Sequence, residues 1–450
     1  MSKMLLMTLA FIILSVVSVY CTEDSNNKTD AGVIEDGITD ITTEDISPYP
    51  TVEPKKETFG IFKIVWLKGT PYEMGFQQGT LLKDELKQGL EYIKNDPLLS
   101  QQEQMARDMG VMDIAIKQSY PEIVEECKGL VDAAKDTGWS YQKCLILNFG
   151  DVFMEYLVDG MPKQACSQAA VSGKATKDGR LYHGRILDWS KIDYILQNPT
   201  IFVRQPKGGI PHVFIGFPAN LSPYSAMNVE GLSMASNEAH PKDVSQTALE
   251  GHSHVQMLAR IAREAHNLDE ARNIILNEKH MSTEIFMIAD GKNKIASVFE
   301  MTAKHIGERT TDANGLVYVT NHFLADETKD YDQEPTKEAN LLRYDRYAQL
   351  LEPDGKDSLF GLLDPQNLVK VLRDRINPYT GEESPIDEFD NGKSIATYGA
   401  LYAIVFDPEK SLVWVATGKI PVPQQPFVGF SLKKLLGYKD APEPIPPTIE

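Results

Sequence analysis

The stretch QACSQAAVSGKATKDGRLYHGRILDW, residues 164–189, sets one thiol, Cys166, among small residues and carries Arg185 and Asp188 downstream. Two short apolar runs flank the turn sequence TKDGR, so the segment reads as a β-hairpin. Its second strand brings Arg185 and Asp188 back toward the thiol. Taken singly, a free cysteine ordinarily just packs, being among the most buried residue types. Here the small neighbours let the backbone come close to another group. A nearby cation also favours the thiolate, the reactive form of the side chain.

Working outward, residues 61–67 (IFKIVWL) read as a strand, and the sequence from about residue 70 to 160 is helix-like. Ile123, Cys127, Leu130 and Val131 recur at helical spacing. After Cys166 the texture changes to short strands, among them IFVRQP, PHVFIGFPA, GLSMASN, EIFMIADG, KIASVFEMT and LVYVTNHF. SHVQMLARIAREAHNLDEARNIILNEK interrupts them as one or two helices, and DPQNLVKVLRDRI reads as a short one. ATYGALYAIVFDPEKSLVWVATG reads as a closing hairpin. Runs of strands and runs of helices, rather than alternating units, imply an α+β fold of layered antiparallel sheets with helices outside.

The ends and the composition bound what the chain can be. Residues 1–21 open MSKMLLMTLAFIILSVVSVYC, an apolar run shorter than the about 20 residues of a membrane span, and fit a signal peptide. Cys21 leaves two readings, ordinary cleavage near residues 18–21 or a lipid anchor on Cys21 itself. Residues 22–57 are acidic and polar with almost no aromatics, which predicts a disordered spacer. The expected location is therefore exported: secreted, periplasmic or in a lysosome-like lumen. The remaining chain suffices for one large domain or two modest ones. A net charge of -19 argues against nucleic acid as a partner. Four cysteines, Cys21, Cys127, Cys144 and Cys166, are too few for a disulfide scaffold. If Cys127 and Cys144 pair, Cys166 is the odd thiol.

The residues around Cys166 resemble the penicillin acyltransferase type of N-terminal-nucleophile hydrolase, related to bile-salt hydrolases and acid ceramidase. The similarity rests on the cysteine before a small-residue strand, on GRILDW (184–189) and on VTNHF (319–323). It extends to GTPYEMGFQQG (69–79), the region 122–153, MNVEGLSMASNEA (227–239) and NLLRYDRY (340–347). The resemblance implies a four-layer αββα fold made as a precursor and cut between Ala165 and Cys166. A mainly helical small chain, residues 58–165, would stay as partner to a catalytic large chain, residues 166–450. Cys166 would then supply both the nucleophilic thiol and, as a new amino terminus, the general base. The reaction implied is cleavage or transfer of an acyl group from a small-molecule amide.

By the same resemblance, Asp188 orients the Cys166 amine and Arg185 balances charge and positions substrate. Asn237 and Asn321 are the oxyanion-side amides, and Arg343 rather than Arg346 is the late arginine. Each has a bland alternative, since strand ion pairs and turn asparagines are common. Asn228 reads as a turn former. GRILDW carries Ile186 where relatives often have asparagine. His252 and His254 lack a carboxylate or cysteine cluster at ligand spacing, and no phosphate loop is visible, so no metal and no cofactor are expected. His183 and His322 read as supports of neighbouring motifs. A bile-salt-type or ceramidase-type amidase and a non-catalytic exported binding protein of the same fold are the alternatives.

Overall fold

Runs such as ALYAIVFD (residues 400–407) are buried along their whole length, as a central strand covered on both faces must be. The computed structural model describes residues 47–450 apart from 98–99, 101–103, 105–106, 109, 150–164, 190, 282, 334–336, 386–391 and 442–445. Strands β1 (Lys55–Phe59) and β2 (Phe62–Gly69) lead into helices α1 (Pro71–Leu81), α2 (Lys83–Asn95), α3 (Val111–Gln118), α4 (Pro121–Ala133) and α5 (Tyr141–Leu147). Next come β3 (Ser167–Gly173), β4 (Gly179–Asp188), α6 (Asp193–Gln197), β5 (Thr200–Pro206), β6 (His212–Gly216), β7 (Ser225–Asn228) and β8 (Leu232–Glu238). They are followed by α7 (His254–Glu264), α8 (Leu268–Asn277), β9 (Glu284–Asp290), β10 (Ile295–Met301), β11 (Ile306–Thr310) and β12 (Leu316–Val319). The chain closes with α9 (Glu338–Leu351), α10 (Pro365–Leu372), β13 (Ala400–Asp407), β14 (Leu412–Thr417), β15 (Val428–Ser431) and α11 (Leu432–Leu435).

These strands form two sheets. One is nine-stranded, in the order β1-β2-β5-β6-β7-β8-β9-β10-β11; the other is six-stranded, β12-β3-β4-β13-β14-β15. All pairings are antiparallel except β2 with β5. That exception departs from the antiparallel expectation. It is permitted because helices α1 to α6 and the β3–β4 hairpin lie between the two strands, ample for a crossover.

Alternation along the strands builds the layers. Val65, Leu67, Phe202, Phe214, Met234 and Phe286 pack with Met74, Leu86, Leu130 and Met257 of α1, α2, α4 and α7. Ala170 and Leu181 of the smaller sheet pack with Met287 and Val298 of the larger. Val171, Tyr182 and Ile186 share a cluster with Tyr347, Leu351, Leu368 and Leu372 of α9 and α10. The fold is thus α+β, with helices, sheet, sheet and helices in four layers. Ile186 accordingly sits in apolar packing rather than in the polar site.

Two details fix the helical layer before Cys166. Thr70 caps α1 in a capping box with Glu73, and Pro71 occupies its first turn. Glycines let α1 and α4 cross with backbones almost touching: a Cβ on Gly75 would lie 2.0 Å from the Glu126 carbonyl oxygen, and one on Gly129 2.1 Å from that of Tyr72. Cys127 and Cys144 form a disulfide between α4 and α5, the pairing that the sequence left open. Cys166 is then the free cysteine among the described residues.

The expected spacer needs correction at its end. Tyr49 donates to Glu230, the Val52 amide donates to Gln205, and β1 starts at Lys55, so the chain is already part of the fold before residue 57. Backbone pairing along β2 supplies what the composition of the segment does not. The expected signal peptide, Cys21 and the spacer up to residue 46 lie outside the described residues, as does the stretch 150–164 of the helical segment.

Candidate active site

The β3–β4 hairpin puts Gln168 opposite Arg185 and Ser167 opposite Ile186. Ser167 faces α9, where it accepts from the Tyr347 hydroxyl at 3.0 Å. Cys166 and Gln168, of the opposite parity, therefore face the inner space between the sheets. Cys166 Sγ lies 3.5 Å from the Asp188 carbonyl oxygen and 3.9 Å from Arg185 Nη2. Asp188 is buried at the end of β4, beside Ala400 of β13.

Arg185 is wholly buried. Its Nη2 donates to the Ser236 carbonyl at 2.5 Å, and the guanidinium lies 5.4 Å from the Tyr402 ring centroid. Its Nε and Nη1 have no hydrogen-bond partner among the described residues. A buried cation with open N–H groups is costly unless an anion or a carbonyl joins it. Burial pushes the Cys166 thiol up to about 11, with Arg185 pulling the other way. The thiol of the uncut chain is therefore protonated at neutral pH, and a base is needed to activate it.

Arg343 of α9 closes the other side. Its Nη1 donates to the Ala165 carbonyl at 2.9 Å and to the Cys166 carbonyl at 2.5 Å. Its Nη2 donates to Asn321 Oδ1 at 3.0 Å and Asn340 Oδ1 at 2.9 Å, and its Nε to the Ala339 carbonyl at 3.0 Å. Arg346 instead pairs with Asp374 and Asp357, away from this peptide. Gly392 abuts Ala165: a Cβ there would lie 2.3 Å from the Ala165 Cβ.

The two asparagines stitch neighbouring strand ends together. Asn321 Nδ2 donates to the Glu238 carbonyl at 2.8 Å, and Asn237 Nδ2 to the Thr320 carbonyl at 3.0 Å. Ala165, Cys166, Arg185, Asp188, Asn237, Asn321 and Arg343 are thus linked, directly or through one intervening residue, into one buried cluster. Asn228 lies outside it and makes the β7–β8 turn, accepting from the Glu230 and Leu232 amides. His252 pairs with Glu278 and His254 with Glu284, while His322 meets the Thr320 hydroxyl at 2.8 Å.

Sequence reasoning missed Gln168, Ser236, Asn340 and Gly392, and it left His183 as an unspecific support. Strand alternation alone places Gln168 on the face of Cys166. The other three serve through a carbonyl, a helix neighbour and a close approach, none of which leaves a local pattern. Chemically, the cluster offers a buried thiol beside a cation, with a second cation on the carbonyl just ahead of it.

The model of the family described as "Acyl-coenzyme A:6-aminopenicillanic acid acyl-transferase" matches residues 176–420. An uncharacterized protein of Archaeoglobus fulgidus is 24% identical over 369 residues, covering 72% of this chain and 60% of that protein, so the chain spans less than two thirds of that relative. The "Acyl-coenzyme A:6-aminopenicillanic-acid-acyltransferase 40 kDa form" of Emericella nidulans is 23% identical over 375 residues, covering 81% of this chain and 95% of that one. Among solved structures, the Caenorhabditis elegans ortholog of N-acylethanolamine-hydrolyzing acid amidase aligns at 12% identity and a TM-score of 0.38, covering 54% of this chain and 93% of that one. A mutant conjugated bile acid hydrolase from Clostridium perfringens aligns at 16% identity and a TM-score of 0.34, covering 60% of this chain and 93% of that one.

Proposed function

Because this chain belongs to the acyl-coenzyme A:6-aminopenicillanic acid acyl-transferase family, we propose that it is an amide-bond hydrolase or acyltransferase whose nucleophile is Cys166, freed by self-cleavage after Ala165. The observation that carries this reading is the Arg343 guanidinium, whose Nη1 donates to the Ala165 carbonyl oxygen at 2.9 Å. In self-cleavage, Cys166 Sγ adds to the Ala165 carbonyl carbon and gives up its proton. Negative charge develops on the oxygen that Arg343 already holds, as an oxyanion donor requires. The carbon–nitrogen bond then breaks, the nitrogen takes a proton, and Ala165 is left as a thioester. Water opens the thioester, releasing the Ala165 carboxylate and regenerating the thiol.

Cleavage turns an amide nitrogen into an amine with an ordinary pKa of about 7.7–8.0. That amine takes the Sγ proton, and the thiolate attacks the acyl carbon of an amide substrate. The leaving nitrogen receives the proton, and an acyl-thioester remains on Cys166. Water or a second amine then takes the acyl group. Arg185, with Nε and Nη1 open, balances the thiolate and receives the substrate carbonyl side. Asp188 orients the new amine, and Asn321 and Asn237 serve the oxyanion. The Cys127–Cys144 disulfide supports an oxidising, exported location.

A denaturing gel with amino-terminal sequencing tests the reading. The purified protein should give two fragments, the second starting at Cys166, and Cys166→Ala should stay as one chain. A wild type that hydrolyses N-acyl amides while uncut would overturn it.

A further inference from the structure

Four buried side chains form a continuous chain across the two sheets beside the thiol. Ser233 Oγ meets His183 Nδ1 at 3.0 Å, and His183 Nε2 meets Gln168 Oε1 at 3.0 Å. Gln168 Nε2 donates to Asn237 Oδ1 at 2.8 Å and to the Ala235 carbonyl at 3.4 Å. Asn237 Nδ2 donates to the Thr320 carbonyl at 3.0 Å. None of the four side chains is more than marginally exposed.

The direction of every bond follows from its ends. The Thr320 carbonyl can only accept, so the nitrogen of Asn237 must face it. Asn237 Oδ1 then accepts, and Gln168 must present its own nitrogen there. Gln168 Oε1 is left to accept from His183, which fixes the proton on Nε2 and leaves Nδ1 to accept from Ser233. Burial, and secondarily the Arg185 charge, push the His183 imidazole down to about 3, so it stays neutral and the direction does not change with pH. From this head-to-tail arrangement, and resting on the function proposed above, we infer that Gln168 and His183 are positioning residues that hold the Asn237 amide in one orientation for the oxyanion. Neither touches the reacting atoms. Gln168 acts on Asn237, and His183 acts on Gln168.

The test uses matured protein and separates kcat from KM. Asn237→Ala and Gln168→Met should lower kcat by similar factors, within the about 100- to 1000-fold that one oxyanion donor contributes, with KM changing little. Gln168→Met should cost nothing more in the Asn237→Ala background. His183→Leu should lower kcat, and His183→Gln, which can still accept at one end and donate at the other, should restore most of it. Full additivity of the Gln168 and Asn237 effects would overturn the inference, as would a lowered Tm with unchanged kcat. If Gln168→Met does not fold, the His183 pair decides: rescue by glutamine supports the inference, and equal losses overturn it. If the wild type neither self-cleaves nor turns over any N-acyl amide, the proposed function fails instead. A crystal structure of Gln168→Met then still reads the positioning, by whether the Asn237 amide keeps or leaves Thr320.

Discussion

At the level of single residues, the proposed chemistry turns on two arginines on opposite sides of one peptide. Arg185 lies beside Sγ, and Arg343 holds the carbonyl that Sγ would attack. Replacing Arg343 by methionine removes that donor while keeping length and apolar contact. Self-cleavage, followed as band conversion on a gel, should slow by about 100- to 1000-fold, the effect of one preorganised oxyanion donor. An unchanged conversion rate would assign Arg343 to packing alone. The pH dependence should differ between the two stages. In the uncut chain the thiol is pushed up to about 11, so its thiolate fraction, and with it the cleavage rate, should keep rising through alkaline pH. On the proposed mechanism the base in the cut protein is the amine, which works deprotonated. kcat/KM should therefore rise with pH, be half-maximal near the amine's ordinary pKa of about 7.7–8.0, and level off above it. Identical profiles for both stages would remove the amine from the mechanism.

At the level of elements, the helical segment ahead of Cys166 depends on the close crossing of α1 and α4. A methyl group on Gly75 would meet the Glu126 carbonyl at 2.0 Å, and backbone cannot move aside as a side chain can. Gly75→Ala should lower stability by about 1–3 kcal/mol, the usual cost of overpacking, read as a lower midpoint in urea. An unchanged midpoint would mean that the crossing is looser than the contact distance says. The same crossing explains Gly75 and Gly79 of GTPYEMGFQQG, which are contact points for a second helix, whereas Gly69 takes a positive φ of 108° at the turn into α1.

At the level of the whole molecule, the proposed cut leaves the layers intact. Residues before Cys166 supply β1 and β2 to the nine-stranded sheet, where β2 pairs with β5 along Lys63–Gly69. Glu126 of α4 forms a buried ion pair with Arg204 of β5 at 2.5 Å, again across the cut. The disulfide lies wholly within the first fragment. After cleavage the two fragments should therefore elute as one species under native conditions, with or without reductant, and separate in denaturant. Arg204→Leu should destabilise the pair by about 3–5 kcal/mol, because it leaves the Glu126 carboxylate buried and unpaired. Dissociation of the wild-type fragments in native buffer would contradict this account of what joins them.

The sequence by itself determined the β3–β4 hairpin, the helices before it and the closing β13–β14 hairpin, and it singled out Cys166, Arg185 and Asp188 as candidates. Each of these is local: alternation, helical spacing and turn residues are written within one or two elements. It also marked Asn237, Asn321 and Arg343, but only through resemblance, because nothing near them in the chain states what they touch. Only the tertiary structure decided that Arg343 and not Arg346 reaches the Ala165 carbonyl. It alone showed that β2 and β5 run parallel, that Cys127 pairs with Cys144, and that the chain joins the fold before residue 57. These outcomes depend on partners far away in sequence, such as Gln205 for Val52 and Asn237 for Gln168. A hydrogen bond between two sheets leaves no periodicity in either strand. The part of the site built that way could be read only once the layers were stacked.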